Sequence, residues 1–404
     1  MPRIGTTLAL VPAVALLLSG CVPNTTTASD GAAAIDVAID DTSCVVSATT
    51  ATSGTVTFTL TNSGTDVNEF EILAEDQLRI VGEKENITPG QTATLVQQLQ
   101  PGTYYTACKF QLVGDPIGLT EFTVTGDTIA EADNQEALDE AAMLYLSYVQ
   151  SQVSELVDAT TAFVDAYIAG EDDTARSLYS ATRVYYERIE PTAEQFGDLD
   201  PKIDYRKPGA DAEGLEWTGF HRIEADLWLE QAHENYPNAD ITALTTDERT
   251  EVGNQLLADI TELSDKVNAA DFSLTITDIT NGAIGLLDEV AAPDGKLSGE
   301  EDEFSHTDLS DFYANVEGSK VAYGTVRDIA LSKGDEGEEL VTELDEQFDA
   351  MLTMLSEYGS YEDGFVSYDT VSQDERNALG AQLNALSEPL STLAHVVLEL
   401  PAAE

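Results

Sequence analysis

Histidine is scarce in this sequence: four in 404 residues, at positions 221, 233, 306 and 395. One of them sits in a pattern that could hold a metal ion. Trp217-Thr-Gly-Phe-His-Arg-Ile-Glu224 contains Gly219-x-His221-x-x-Glu224. If His221 begins a helix, Glu224 lies one turn on and beside it, so an imidazole and a carboxylate can share one ion. The segment is flanked by aromatic residues and opened by a glycine. It follows an acidic stretch, Tyr186 to Arg206, that carries Glu187, Glu190, Glu194, Asp198, Asp200 and Asp204. The pattern does not read as a zinc peptidase of the His-Glu-x-x-His kind, because Arg222 stands at the glutamate position and Ala225 at the second histidine. No His-x-x-Glu-His and no Gly-x-Ser-x-Gly occurs either.

A second group of residues lies near the N-terminus. Cys44 and Cys108 are accompanied by Glu69 and Glu71 in Asn68-Glu-Phe-Glu-Ile72. In a strand, residues 69 and 71 point to the same face and could share an ion. The two cysteines admit two readings: a disulfide closing a long loop, or an unusual metal site formed with the two glutamates. A blue-copper centre is excluded, since it needs two histidines, a cysteine and usually a methionine, and the stretch 35–128 has neither histidine nor methionine.

These residues must be positioned by two bodies of different pattern. From about Ile35 to Thr128 the sequence alternates in the manner of strands. The strand-like runs are Thr55–Leu60, Phe70–Leu73, Leu78–Val81 and Thr92–Val96, and Asn62-Ser-Gly64, Thr88-Pro-Gly90 and Pro101-Gly102 are turn signals. Short strands at this spacing predict a β-sandwich. From 129 to 404 the period becomes helical, with expected helices over Ala137–Ile168, Ala175–Ile189, Ile241–Val267, Phe312–Leu331, Leu340–Tyr358 and Arg376–Leu400. Long helices joined by loops such as Gly334-Asp-Glu-Gly337 predict antiparallel bundles.

Charge narrows the function classes. The chain carries 18 Lys and Arg against 75 Asp and Glu, a formal net charge of −57. Such a field repels phosphates, which argues against nucleic acid or an anionic membrane surface as partner. Hydrophobic residues make up 42%, which argues against global disorder. The charge is uneven: 3 basic and 13 acidic residues in 36–128, against 14 and 61 in 129–404. Any handling of cations is therefore placed in the second body. The acidity also fits a solvated surface in a salty habitat.

The N-terminus reads as an export signal. Arg3 precedes an apolar run from Leu8 to Leu18, too short to span a bilayer as a mature helix. It ends in Leu18-Ser19-Gly20-Cys21, which resembles the bacterial lipoprotein signal with Cys21 as the lipidated residue. Residues 1–20 are then a signal peptide, and 21–34 a flexible tether. With Cys21 acylated, Cys44 and Cys108 remain as an even pair in an oxidising compartment.

Five further segments carry a family resemblance: Glu187-Arg-Ile-Glu190-Pro191, Phe196-Gly-Asp-Leu-Asp200-Pro-Lys-Ile-Asp204, Thr218-Gly-Phe-His-Arg-Ile-Glu224, Ser305-His-Thr-Asp-Leu309 and Ala314-Asn-Val-Glu-Gly318. In this order they resemble the imelysin-like family, in the branch that joins a cupredoxin-like N-terminal domain to the helical one. The resemblance covers nearly the whole mature chain. It implies a multidomain fold: a cupredoxin-like β-sandwich, then an all-α domain of two antiparallel four-helix bundles. It implies a metal site with His221 and Glu224 as ligands, Glu187 and Asp204 as partners, and Glu190 as a substitute. His306, Asp308, Asp311 and Glu317 match a further family motif. Arg206-Lys-Pro-Gly-Ala210 departs from the family, which is usually more acidic there.

The activity implied is binding rather than catalysis. The branch supplies the exported component of an iron-uptake system, capturing Fe2+ or Fe3+ for a membrane iron permease and working with a haem peroxidase. One imidazole with three carboxylates suits iron, manganese or zinc rather than copper(I). Two alternatives remain: a metallopeptidase, and a ferroxidase or electron-transfer protein with copper in the β body.

Overall fold

Alternation of buried and exposed side chains builds the N-terminal body, as in Ile35–Asp40, where Ile35, Val37 and Ile39 are buried and the intervening residues face out. A computed structural model describes residues 34–75, 77, 80–110, 116–126, 135–239, 241–270, 272–292 and 295–398. The expected signal peptide, the lipidated Cys21 and the tether up to residue 33 lie outside the described residues, as do Leu78 and Arg79 of one expected strand. The strands are β1 Ile35–Asp40, β2 Ser43–Val46, β3 Thr50–Thr52, β4 Gly54–Asn62, β5 Asn68–Leu73, β6 Ile80–Ile87, β7 Thr92–Leu99, β8 Gly102–Phe110 and β9 Ile117–Thr125.

Two sheets face each other, one in the order β2-β1-β4-β7 and the other β3-β9-β8-β5-β6. β1 runs parallel to β4 and β3 parallel to β9, while the other pairs are antiparallel. Phe58 packs between the sheets against Phe70 and Phe122, with ring centroids 5.3 and 5.6 Å away. A disulfide joins Cys44 on β2 to Cys108 on β8, with 5.7 Å between the Cα atoms, and so staples one sheet to the other.

One strand breaks the alternation. All six residues of β5 are buried. Phe70 and Ile72 belong to the sandwich core. Glu69 and Glu71 point to the opposite face, and they are buried because the helical body covers it. Lys84 on β6 pairs with Asp288 of that body at 3.3 Å, and Gln97 on β7 accepts from Asn281 at 3.0 Å.

The helical body comprises α1 Gln135–Ile168, α2 Asp172–Glu187, a 3-10 segment Glu190–Phe196, α3 Leu199–Asp204, α4 Lys207–Glu213, α5 Gly219–Leu227, α6 Leu229–Asn235, α7 Thr246–Val267, α8 Ile276–Ala291, α9 Asp308–Leu331, α10 Asp335–Ser356, α11 Gln373–Leu390 and α12 Leu393–Leu398. α1, α2 and α7 pack together with the short α5, and α8 to α11 form the second group. One continuous apolar core runs through both, joined where α9 meets α1 and α2.

Several elements differ from the periodicity reading, each for a local reason. α7 starts at Thr246 rather than Ile241, because Thr245 and Glu248 form a reciprocal cap. The expected helix Arg376–Leu400 is divided into α11 and α12, with Pro389 in the last turn before the break. α8 has no counterpart among the expected helices. Its Gly282, Gly285, Thr277 and Thr280 are poor helix formers, and packing rather than propensity holds it.

Candidate metal centre

α5 carries the histidine, and its start is set by Gly219. That residue has φ +78°, and a Cβ there would lie 2.1 Å from the carbonyl oxygen of Ile203. Only glycine lets α5 begin this close to α3, and the approach brings His221 beside Asp204 at the end of α3. His221 and Glu224 are then one turn apart and both fully buried, at 1% and 0% exposure.

The two nitrogens of His221 meet different surroundings. Nδ1 lies 2.9 Å from Glu224 Oε2 and 3.4 Å from the hydroxyl of Tyr179. The other oxygen of Glu224 is fully engaged: it accepts from the backbone N–H of Phe304 at 3.0 Å, that of Ser305 at 2.7 Å, and the Ser305 hydroxyl at 2.8 Å. Glu224 thus fixes the ring. Nε2 is buried with no hydrogen-bond partner among the described residues. It faces Asp204 Oδ1 at 3.6 Å and Glu301 Oε1 at 3.5 Å.

Among the described residues, two trios place ligand atoms within 4.8 Å of one another: Asp204, His221 and Glu301, and His221, Glu224 and Asp302. The second lies on the Nδ1 side, where Glu224 is already satisfied and Tyr179 donates to Asp302 at 3.0 Å. The first lies on the Nε2 side, where Asp204 Oδ1 and, at 3.4 Å, Glu301 Oε1 accept from Arg183. A hard or borderline cation fits an imidazole nitrogen flanked by two carboxylates.

Around this trio lies a buried network of acids and two bases. Arg183 on α2 is fully buried and donates to Asp204, to Glu187 and, at 2.7 Å, to Asp311. Lys296 places Nζ 3.2 Å from Glu187, 3.3 Å from Glu190 and 3.7 Å from Glu301. Asn315 donates to Glu187 at 2.9 Å and to Glu190 at 2.6 Å. Arg206 lies 3.5 Å from Glu301, so the basic departure after Tyr205 also faces the site.

These charges set the protonation of the site. Burial and Arg183 oppose protonation of His221, but its bond to Glu224 and the facing Glu301 and Asp204 carboxylates outweigh them and push it up to about 10. Burial opposes ionisation of Glu301, yet Lys296, His221 and Arg206 hold its carboxyl well below the usual range. Glu187 is likewise held low by Lys296 and Arg183 against the cost of burial. Burial and then the neighbouring Glu187 push Glu190 well up. Burial raises Asp302 to about 6. Burial raises Asp311 well above its ordinary value, with Asp302 and Glu187 adding to the rise.

The sequence-predicted residues are therefore only partly brought together. His221, Glu224 and Asp204 converge. Glu187 and Glu190 sit in the same network but belong to neither ligand trio, and Arg183 and Lys296 pair with them there. Asp308 and Asp311 are buried on the first turn of α9, each with one oxygen that has no hydrogen-bond partner among the described residues. His306 belongs to neither trio, and Glu317 pairs instead with Arg188 at 2.9 Å. Glu301 and Asp302 were not anticipated; the acidic run Glu300-Glu301-Asp302-Glu303 just before Phe304 was the available signal. Arg183 also had one, since it falls in the apolar stripe of α2 with Tyr179 and Tyr186.

The alternative site of Cys44, Cys108, Glu69 and Glu71 is not built, for two reasons. The cysteines are bonded to each other. Cys108 also pairs in register with Phe70 and points into the sandwich core, whereas Glu69 and Glu71 point to the other face. There they line a cavity of about 290 Å³ between the two bodies, whose far wall includes Asp204, Lys296 and Glu301. Lys109 lies 3.6 Å from Glu71 and 4.0 Å from Glu213 of the helical body. Burial, then Glu71 and Glu83, raises Glu69 well above its ordinary value.

Comparison with known proteins agrees with this architecture. Residues 141–393 match the imelysin family, and residues 9–117 match the cupredoxin-like domain. The iron uptake system component EfeO of Escherichia coli O157:H7 is 36% identical over 368 residues, covering 90% of this chain and 91% of that protein. EfeO of Escherichia coli strain K12 and of Shigella flexneri match at the same identity and coverage.

Proposed function

This chain belongs to the imelysin family, and from that membership we propose that it is the iron-capturing component of an uptake system, binding the ion at His221 Nε2 between Asp204 and Glu301. The single observation that carries this is the buried, unpartnered Nε2 facing two carboxylates. Once its proton is lost, that nitrogen's lone pair is costly to bury without a partner, and a cation supplies one. Glu224 orients the ring from the other side, as carboxylates do behind metal-bound histidines. Iron suits this donor set better than copper(I), with zinc as the main competitor.

The iron is cargo, so the site must also let it go. The leader ending in Leu18-Ser19-Gly20-Cys21 supports an exported protein tethered through lipid at Cys21, with no described helix long and apolar enough to cross a membrane. On this reading the ion passes to a membrane iron permease, and a haem peroxidase is the second partner; Glu187 and Glu190 complete the ion's shell during loading. The chain is a binding protein and not a peptidase, because Glu224 is fixed by three donors and is not free to act as a general base.

Anaerobic calorimetry with Fe2+, and a parallel titration with ferric citrate, tests the reading. The wild-type protein is expected to bind, and His221→Ala to lose binding while keeping its fold. Unchanged uptake by His221→Ala would overturn the assignment.

A further inference from the structure

Two cations are built into the carboxylate network, and they are held in different ways. Arg183 projects from α2, four residues before its end, and is anchored by bonds to acids from several elements: Asp204, Glu187, Asp311 and, at 3.4 Å, Glu301. Lys296 belongs to no helix or strand. It stands between Gly295 and Gly299 in the turn after α8, and its side chain is 4% exposed. Its ammonium sits among Glu187, Glu190 and Glu301, at 3.2, 3.3 and 3.7 Å. It also lines the cavity between the two bodies.

Three carboxylates converging on an ammonium form a cradle that a hard metal ion could also take. Glu301 belongs to both arrangements, because the oxygen that faces Lys296 also faces His221 Nε2. An ion seated at Nε2 therefore competes for Glu301 with Lys296 and with Arg183, which donates to the same oxygen at 3.4 Å; of the two, Lys296 is the one on a turn beside the cavity. A lysine is suited to yield: its charge rides on a flexible four-carbon stem with freely turning donors, and the cavity lies beside it.

We propose that Lys296 is a tethered competitor: it occupies the carboxylate cradle in the ion-free protein, swings into the interdomain cavity when the ion arrives, and returns to promote release. The inference rests on the ion-binding reading above. Lys296 thereby sets the affinity, and the cradle it vacates explains how Glu187 and Glu190 become available to the cargo. No covalent bond changes apart from the His221 N–H, whose proton passes to solvent as the ion binds.

Two measurements with Fe2+ under anaerobic conditions test it. In the wild-type protein, acylation by an amine-reactive ester, read by mass spectrometry, should spare Lys296 without iron and label it with iron bound. Protection unchanged by iron would overturn the proposal. In calorimetry, Lys296→Gln should bind about tenfold tighter and dissociate more slowly, while Lys296→Arg stays near or below wild type. Equal or weaker binding by Lys296→Gln would count against it; should that variant fail to fold, the labelling experiment decides. Absence of any Fe2+ binding by the wild-type protein would remove the ion-capture reading and this inference together. Binding without a Lys296 response removes this inference alone.

Discussion

His221 is held by Glu224 at one nitrogen, while the other faces Asp204 and Glu301 with no hydrogen bond among the described residues, and the proposed ion-binding role rests on that asymmetry. The grip comes from Glu224, whose own second oxygen is tied to Phe304 and Ser305. Glu224→Gln should therefore weaken iron binding roughly 10–100-fold while leaving the ion's own ligands in place, measured by calorimetry. Glu301→Gln removes a direct oxygen and should weaken binding further. The imidazole is held protonated up to about 10 in the ion-free protein, so an arriving ion must expel that proton. Iron affinity should rise with pH through the neutral range, with one proton released per ion, read from calorimetric heats in buffers of different ionisation enthalpy. The ion-free fold should show the opposite trend. Its folded-state value lies above the unfolded 6.5, so this contribution to stability is complete below pH 6.5 and is lost as pH rises through about 10. Thermal melts of the ion-free wild-type protein and of His221→Ala across pH 6–10 check it: the gap should narrow toward alkaline pH.

At the scale of elements, close backbone approaches place the site. α5 can meet α3 only through Gly219, where φ is +78°. Gly219→Ala should destabilise the protein by about 2 kcal/mol or more and separate His221 from Asp204, measured as a drop in melting temperature together with lost iron binding. α8 supplies the second approach. A Cβ on Gly282 would lie 1.7 Å from the carbonyl oxygen of Pro191, so this glycine seats the 3-10 segment that begins at Glu190. The helix that composition makes hardest to foresee is thus the one that brings Glu190 to Lys296.

For the whole molecule, the β-sandwich forms one wall of the cavity leading to the helical site. Glu69 and Glu71 end up buried because a second body packs over their face of the sheet, with Lys84–Asp288 and Lys109–Glu213 bridging the two. The Cys44–Cys108 bond closes a long loop within the sandwich, and the paired replacement Cys44→Ser with Cys108→Ser should cost ~4 kcal/mol of sandwich stability on a chain-entropy argument. Iron binding should survive that replacement, because every atom of the proposed site lies in the helical body. Denaturant melts and calorimetry on the same variant separate the two outcomes. With a net charge of −57, the fold should also gain melting temperature as monovalent salt is added, since screening relieves self-repulsion.

Local rules carried far in this protein. Alternation in Thr55–Leu60 indicated β4, the apolar period of Ala137–Ile168 indicated α1, and the spacing of His221 and Glu224 put both on one face of α5, because each depends on residues a few positions apart. What the spacing could not contain was desolvation and long-range meeting. Glu301 lies 80 residues beyond His221 and reaches it only when the segment before α9 folds against α5. Glu224 looks like a ligand in one dimension, and on the proposed reading it orients the ring, because the N–H groups of Phe304 and Ser305 arrive from that same segment. Cys108 pairs across the sheet with Phe70, the residue next to Glu69, yet Cys108 and Glu69 face opposite sides of that sheet once the register is set. Sequence alone determined which residues could take part in the chemistry; tertiary packing decided which of their atoms remain unsatisfied, because an atom's partners and its loss of water both depend on elements far away in the chain.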